Sequence, residues 1–201
     1  MPAIKLFEYA PTRSARPRWT LLEAGLEFES AGESPEIFGS SELASVHPLR
    51  KLPAAVIDGK PLFESVAICN AIADLVPDKN LIAQPGTWSR AVHDQWVMFN
   101  ATEMEPWLWS NFLNTVLLPE NKRVTACIGQ NVGIFKKAAA VMNNVLAKTD
   151  YLVDDRFTVA DIVVSYTLNG ARKLGHLEEF ASLRAYLDRL FAREHCTLDQ
   201  A

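Results

Sequence analysis

A segment bracketed by prolines, from Pro77 to Gly86, separates two parts of the chain that differ in pattern. Before it, short strand-like apolar runs alternate with runs of helical period, and after it only helical periods occur. Prolines at both ends and a closing glycine are typical of a loop. We therefore expect an α+β domain over residues 1–76, a linker over residues 77–86 and an all-α domain over residues 87–201.

The first part predicts the element order βαβ followed by ββα. Asp58-Gly59, a pair that favours the positive φ of a tight hairpin, separates two strand-like runs. One helix is expected to begin near Ser14, with Pro17 in its first turn, and another to begin with Ser65 as its N-cap. Residues 31–46, which contain two glycines and a proline, are expected to be mostly irregular. The predicted strands are residues 4–7, 27–30, 53–57 and 60–63.

The second part shows helical spacing throughout. Trp88 and Trp96 share one predicted helical face and are expected in the core, and Pro106 is expected to kink or end that helix. A longer helix is predicted within residues 121–148. The run Thr158-Val-Ala-Asp161 matches a capping box, so these two polar residues are assigned to helix capping rather than to catalysis.

Charge and cysteine content exclude several classes of protein. Twenty Lys and Arg against 24 Asp and Glu give a net charge of −4, which disfavours a nucleic-acid partner because phosphate binding needs clustered cations. Cys69, Cys127 and Cys196 are far apart, odd in number and without metal-ligand spacing, so neither disulfides nor a metal site are expected. No apolar run is long enough for a membrane span or an export signal. We expect a cytoplasmic protein without a membrane partner.

Four stretches follow one another in order along the chain: PTRSAR (11–16) with LLEAGLEF (21–28), HPLRKLPA (47–54), ESVAI (64–68) and FTVADI (157–162). Together they resemble the cytosolic glutathione transferases, and the match covers essentially the whole chain. The resemblance implies a thioredoxin-like N-terminal domain, a helical-bundle C-terminal domain, glutathione as co-substrate and a homodimer. The transferase-like domain of elongation factor 1B gamma, which has the same scaffold, is also similar.

The resemblance implies a glutathione site with three parts. A cis Leu52–Pro53 bond would present the Leu52 backbone to the cysteinyl group, although a trans proline in an edge strand is the alternative. Ser65 would hold the γ-glutamyl carboxylate at a helix N-terminus and Glu64 its ammonium, although Ser65 could serve only as a cap. Cations would hold the glycyl carboxylate or add positive potential, unless they are ordinary surface side chains. They are Arg13, Arg50 and Lys51.

The group that would stabilise the glutathione thiolate is ambiguous. The resemblance places the serine of serine-type transferases at Thr12 and the tyrosine of tyrosine-type transferases at Phe7, which has no hydroxyl. One hydroxyl donor and the positive end of a helix could together supply the stabilisation. Thr12 is the first choice, Ser14 the second and Tyr9 the third, and Ser14 could equally be only a helix cap.

The second substrate of the family lies against the first long helix of the C-terminal domain. Aromatic side chains around Pro106 could therefore form a flat apolar pocket for an aromatic electrophile, although such a cluster is more commonly part of a core. The candidate pocket residues are Met104, Trp107, Trp109 and Phe112.

The resemblance implies an enzyme that conjugates the glutathione thiolate to small hydrophobic electrophiles. Reduction, isomerisation, dehalogenation and aryl-ether cleavage are related chemistries on the same scaffold. The absence of cysteine at positions 12 to 14 disfavours the thiol-exchanging branch. A non-catalytic interaction domain, of the elongation-factor or stress-regulator type, is the main alternative, and a ligandin-like carrier that uses only the tryptophan-lined cleft is a third.

Overall fold

A computed structural model describes residues 2–32 and 34–198. Residues 1, 33 and 199–201, which the sequence assigns to one or other predicted domain, lie outside the described residues. The chain divides into two compact units. In the described part, the first unit comprises the residues up to Pro85 together with residues 193–198, and the second comprises residues 86–192.

A four-stranded mixed sheet forms the centre of the first unit, with the strand order β2-β1-β3-β4. β1 is parallel to β2 and antiparallel to β3, which is antiparallel to β4. Asp58 and Gly59 have φ values of 48° and 76°, as the tight hairpin turn requires. The strands are β1 (Ile4–Phe7), β2 (Glu29–Ala31), β3 (Ala54–Ile57) and β4 (Lys60–Phe63).

The helices of the first unit are α1 (Ala15–Ala24), α2 (Ser41–Val46) and α3 (Ser65–Asp74). α1 and α3 complete the predicted βαβ and ββα order. Residues 31–46, which were expected to be mostly irregular, contain α2 and a short 3-10 turn (Pro35–Gly39). Large apolar side chains from the sheet, α1 and α3 are fully buried. Phe7 packs in a cluster with Leu43 and Val46 of α2. The other fully buried side chains include Leu6, Trp19, Leu21, Ile68 and Ile72.

The second unit is helical, as expected. The chain between α4 and α5 is a π-helical segment (Asn100–Met104), and Pro106 lies in the first turn of α5, where its missing N–H costs no hydrogen bond. A second π-helical segment follows α5 (Leu113–Leu117). The helices are α4 (Trp88–Phe99), α5 (Glu105–Phe112), α6 (Ile128–Leu146), α7 (Val159–Lys173) and α8 (Ala181–Phe191).

The prediction that Trp88 belongs to the core is wrong. Trp96 is 7% exposed, whereas Trp88 is 83% exposed. Trp88 is the first residue of α4. Helical side chains point towards the N-terminus of their helix, so the side chain of a first residue projects past the packed part of the helix.

The capping box at the start of α7 is confirmed. Thr158 is the N-cap, and its backbone N–H donates to Asp161 Oδ2 at 2.7 Å. Asp161 Oδ1 also accepts from the Leu152 N–H at 3.1 Å and from the Tyr186 hydroxyl at 2.7 Å. Burial raises the pKa of Asp161 to about 6 against the effect of these donors, so its carboxylate is charged at neutral pH. These contacts support the assignment to capping.

Candidate glutathione site

The strand register brings three predicted parts of the site to one end of the sheet. Phe7, the last residue of β1, is paired with Ala54, the first residue of β3, and Ala54 is paired with Phe63, the last residue of β4. The chain segments that adjoin these paired residues therefore emerge at the same end of the sheet. These segments are the loop from Glu8 to Ser14, Leu52–Pro53 and Glu64–Ser65.

At the start of α3, the structure corrects the predicted cap. Glu64, not Ser65, occupies the N-cap position, and its side chain makes no capping hydrogen bond. Glu64 has φ 75° and ψ 116°, a backbone conformation that non-glycine residues rarely adopt. Because the helix begins directly after this residue, Ser65 is its first residue, and its hydroxyl accepts a hydrogen bond from Arg16 Nη1 at 3.2 Å. The free N–H groups of this first turn favour an anion.

The peptide bond between Leu52 and Pro53 is cis, as the resemblance implies. Leu52 is buried and precedes the first strand pair of β3, at Ala54, so its backbone N–H and C=O lie beyond the ladder. Arg50 and Lys51 are exposed, and Arg50 adopts a left-handed conformation with φ 51°. Two cations therefore directly precede a backbone segment that a ligand could extend as an added strand.

His47 lies among the charged residues of this end of the sheet. Its Nδ1 accepts from the Leu49 N–H at 3.1 Å, and its ring packs on Phe63 with centroids 4.9 Å apart. Burial lowers the pKa of His47, the charge of Glu64 raises it, and the charge of Lys51 lowers it. The lowered pKa makes His47 neutral at pH 7, and its hydrogen bond and ring contact indicate a structural role.

The two hydroxyl groups before α1 form a chain of hydrogen bonds that all donate in one direction, from Ser14 to Thr12 to the Tyr9 carbonyl. Thr12 Oγ1 lies 2.5 Å from the carbonyl oxygen of Tyr9, and because a carbonyl only accepts, the Thr12 proton lies in this bond. Ser14 Oγ lies 2.7 Å from Thr12 Oγ1, so the Ser14 hydroxyl must donate to Thr12. Ser14 occupies the N-cap position of α1, as expected, but makes no side-chain cap bond. Thr12 is partly exposed and Ser14 is buried, so Thr12 is the more accessible donor.

Tyr9, the third choice, lies against an apolar cluster. Its ring meets Phe38 edge-on at 6.1 Å, and it packs on buried residues that include Phe7 and Leu43. The tyrosine-type position, Phe7, is fully buried and has no hydroxyl. The geometry therefore favours Thr12 and Ser14 over Tyr9 near the start of α1.

Two family models match this chain, and together they span most of it. The N-terminal domain model of glutathione S-transferases matches residues 2–74, and the C-terminal domain model matches residues 115–194. The chain belongs to the glutathione S-transferase family. The sheet with its flanking helices is accordingly the thioredoxin-like domain of this family, and the second unit is its helical domain.

Individual relatives are distant in sequence but similar over nearly the whole fold. Protein LigF of Sphingobium sp. is 28% identical over 94% of this chain and 90% of its own, and the crystal structure of beta-etherase LigF superposes with a TM-score of 0.84. A glutathione transferase structure from Methylococcus capsulatus is 26% identical, covers 96% of this chain and 95% of its own, and has a TM-score of 0.84. Elongation factor 1-gamma of Prunus avium is 30% identical over 75% of this chain but only 35% of its own.

The candidate pocket residues of the helical unit differ in burial. Met104, the last residue of the π-helical segment, is fully buried, so it cannot line an open pocket, and this part of the prediction is corrected. Trp107 and Trp109 are partly buried, and Phe112 is 43% exposed. The rings of Trp109 and Phe112 are stacked, with centroids 5.5 Å apart and an interplanar angle of 27°. The structure thus brings two of the four residues together as a partly exposed aromatic pair.

Cys69 is not available as a nucleophile. It is fully buried in α3, and burial raises the pKa of its thiol to about 12. Within residues 2–32 and 34–198, no group of three or more His, Cys, Asp or Glu side chains could hold a metal ion, and no helix is long and apolar enough to cross a membrane.

The sequence analysis missed Arg16 as an individual residue. Its side chain is 2% exposed and lies between α1 and the start of α3. Arg16 precedes Trp19 by three residues, so the spacing places it on the same helical face, but an arginine on such a face is normally exposed.

Proposed function

We propose that this chain is a transferase that binds glutathione at the end of its sheet and transfers the glutathione thiolate to small hydrophobic electrophiles. Family membership supports the reaction class. The observation that carries the proposal is the register of Phe7, Ala54 and Phe63, because one tripeptide must contact all three adjoining segments at once. The homodimer implied by the resemblance is part of the same proposal.

Each end of glutathione has a complementary partner in this arrangement. The γ-glutamyl carboxylate would accept hydrogen bonds from the first turn of α3 and the Ser65 hydroxyl, and Glu64 would pair with the ammonium group. The backbone of Leu52 would pair with the cysteinyl residue as an added strand. Arg50 and Lys51 would attract the glycyl carboxylate.

Thr12 would donate to the sulfur. A free thiol with a pKa of about 8.5 is only ~3% ionised at pH 7, and lowering that pKa by about 2 units requires about 2.7 kcal/mol. The Thr12 hydroxyl can turn from the Tyr9 carbonyl towards a thiolate while it still accepts from Ser14, and that second bond makes it a stronger donor. The positive end of α1 and the charge of Arg13 would add to the stabilisation.

The aromatic residues of α5 suit an apolar second substrate. Trp107, Trp109 and Phe112 offer flat, partly exposed rings, which favour contact with an aromatic electrophile. Conjugation and ether cleavage both begin when a thiolate attacks an electrophilic carbon, and they differ in the group that leaves. The similarity to beta-etherase LigF therefore adds aryl ethers to the electrophiles that merit testing.

A non-catalytic interaction domain is the second candidate. Two observations support it. The Thr12 hydroxyl already donates its proton to the Tyr9 carbonyl oxygen, with 2.5 Å between the two oxygens, and the chain is similar to elongation factor 1-gamma. In such a protein the hydroxyl chain would only stabilise the turn before α1.

Ultraviolet difference absorbance of the thiolate during a glutathione titration at neutral pH separates these two functions. For a transferase, we expect saturable thiolate formation that Thr12→Ser retains. Thr12→Val keeps the shape but removes the donor, so it should raise the pKa of the bound thiol by about 1–2 units. Binding without any thiolate signal in the unsubstituted protein would contradict the enzymatic proposal and favour the interaction domain.

A further inference from the structure

We infer that Arg16 is a positioning residue, which orients Ser65 for the γ-glutamyl carboxylate of glutathione without touching the ligand itself. The inference rests on the proposed glutathione site. Arg16 is the second residue of α1, its side chain is 2% exposed, and its Nη1 donates to Ser65 Oγ at 3.2 Å.

Two matching contacts fix α1 against the start of α3. Arg16 meets Ser65 at the first level, and Thr20 faces Cys69 one helical turn further along both helices. The Thr20 hydroxyl also donates to the Arg16 carbonyl oxygen at 2.9 Å. The residues of both contacts are buried, so the Arg16 guanidinium has a fixed position next to the N-terminus of α3.

The direction of the hydrogen bond determines what Ser65 can do. A guanidinium only donates hydrogen bonds, so Ser65 Oγ acts as the acceptor in this pair. A serine hydroxyl has a single proton, which then remains for another acceptor. Arg16 therefore orients the Ser65 proton for an incoming carboxylate, much as the backbone N–H groups of the first turn are oriented.

The charge of Arg16 adds to the same preference. The N-terminus of α3 carries a partial positive charge, and a cation next to it strengthens the attraction for an anion. Because Arg16 is shielded from water, its interaction with a bound carboxylate is less screened than that of an exposed cation such as Lys51. Loss of Arg16 should therefore act on the carboxylate of glutathione and not on its sulfur.

Titration calorimetry with two ligands tests this role. One ligand is glutathione, and the other is γ-aminobutyryl-cysteinyl-glycine, which lacks only the γ-glutamyl carboxylate and keeps the ammonium group. We expect Arg16→Met to weaken glutathione binding about tenfold or more and to leave the weaker binding of the analogue unchanged. The thiol pKa of bound glutathione should not move, since Thr12 is intact. Equal weakening of both ligands, or unchanged glutathione binding, would overturn the inference.

Control variants separate positioning from simple packing. Thr20→Val removes a buried hydroxyl that supports only the packing of α1 on α3, so it should weaken glutathione binding much less than Arg16→Met does. Arg16→Lys keeps the charge without the planar donor, and its effect should be smaller when Ser65→Ala is already present. Additive effects of Arg16→Lys and Ser65→Ala would contradict action through Ser65, even if Arg16→Met does not fold. Absence of glutathione binding by the unsubstituted protein would instead refute the proposed function.

Discussion

At the scale of single residues, Gly32 marks a close approach between two backbone segments of the first unit. It follows β2 and has φ 128°. A Cβ atom built there would lie 1.8 Å from the carbonyl oxygen of Glu8, in the segment that leads from β1 to Thr12. Any side chain at this position therefore displaces the backbone next to the proposed sulfur site.

Gly32→Ala should reduce the free energy of unfolding by about 3 kcal/mol or more, because the new methyl group forces a backbone shift and the φ value is unfavourable for alanine. Chemical denaturation measures this directly. Gly39→Ala is the matched control, since no atom outside its chain neighbours lies within 4 Å of the new Cβ, and its effect should be small. Equal effects of the two variants would contradict the close approach.

The sequence predicts which residues lie near the site, but it does not predict the hydrogen bonds that those residues make. Thr12 and Ser14 were identified through the resemblance to the family, but the direction of their protons depends on the Tyr9 carbonyl, which the tertiary fold positions. Arg16 was missed because only the packing of α1 on α3 buries it. The role of each hydroxyl stays a prediction until ligand binding is measured.

At the scale of elements, the start of α7 shows how a local motif acquires distant partners. The capping box was predicted from Thr158 and Asp161, which satisfy each other's backbone over three residues. The bonds from Leu152 and Tyr186 to the same carboxylate come from outside this turn, so no local pattern could predict them. One carboxylate thereby joins α7, α8 and the loop before α7.

Asp161→Ala should lower the free energy of unfolding by about 3 kcal/mol or more, because it removes the cap and leaves a buried N–H and a buried hydroxyl without an acceptor. Tyr186→Phe, which removes only one of these bonds, should cost about 1 kcal/mol. Urea denaturation followed by circular dichroism compares the two. A smaller loss for Asp161→Ala than for Tyr186→Phe would show that the carboxylate does not hold these elements together.

At the scale of the whole molecule, the chain returns to its first unit after α8. Arg193 donates to both carboxylate oxygens of Glu23 at 2.8 Å, and the Thr197 hydroxyl donates to the Ala15 carbonyl oxygen at 2.8 Å. Leu198 is buried, at 8% exposure. The sequence analysis assigned this segment to the helical domain, since nothing local indicates a contact across more than 150 residues.

Glu23→Gln should lower the melting temperature at pH 7 by about 2–4 °C, for a loss of about 1 kcal/mol. Burial alone would raise the pKa of Glu23, but hydrogen bonds from Arg193 and Trp19 outweigh it and hold that pKa below its usual value. A carboxyl whose pKa is lowered by folding stabilises the protein above its unfolded pKa, and this contribution disappears as the pH falls through the folded pKa.

The difference between the Glu23→Gln variant and the unsubstituted protein should therefore shrink as the pH is lowered below about 4. Melting curves at several pH values give the comparison. Glu179→Gln removes a solvent-exposed pair with Lys136 and should change the melting temperature little at any pH. A difference for Glu23→Gln that does not depend on pH would argue against the ion pair.

Because the first unit is made of two chain segments, the helical unit is an insertion in a host domain. A chimaera that joins the first unit of this chain to the helices of a relative would therefore need two junctions, one after Pro85 and one before Arg193. A single crossover at the first junction would replace the residues that contact Glu23 and Ala15 with foreign ones. An exchange between relatives should therefore replace only the inserted helical unit, residues 86–192, and keep residues 193–198 with the first unit.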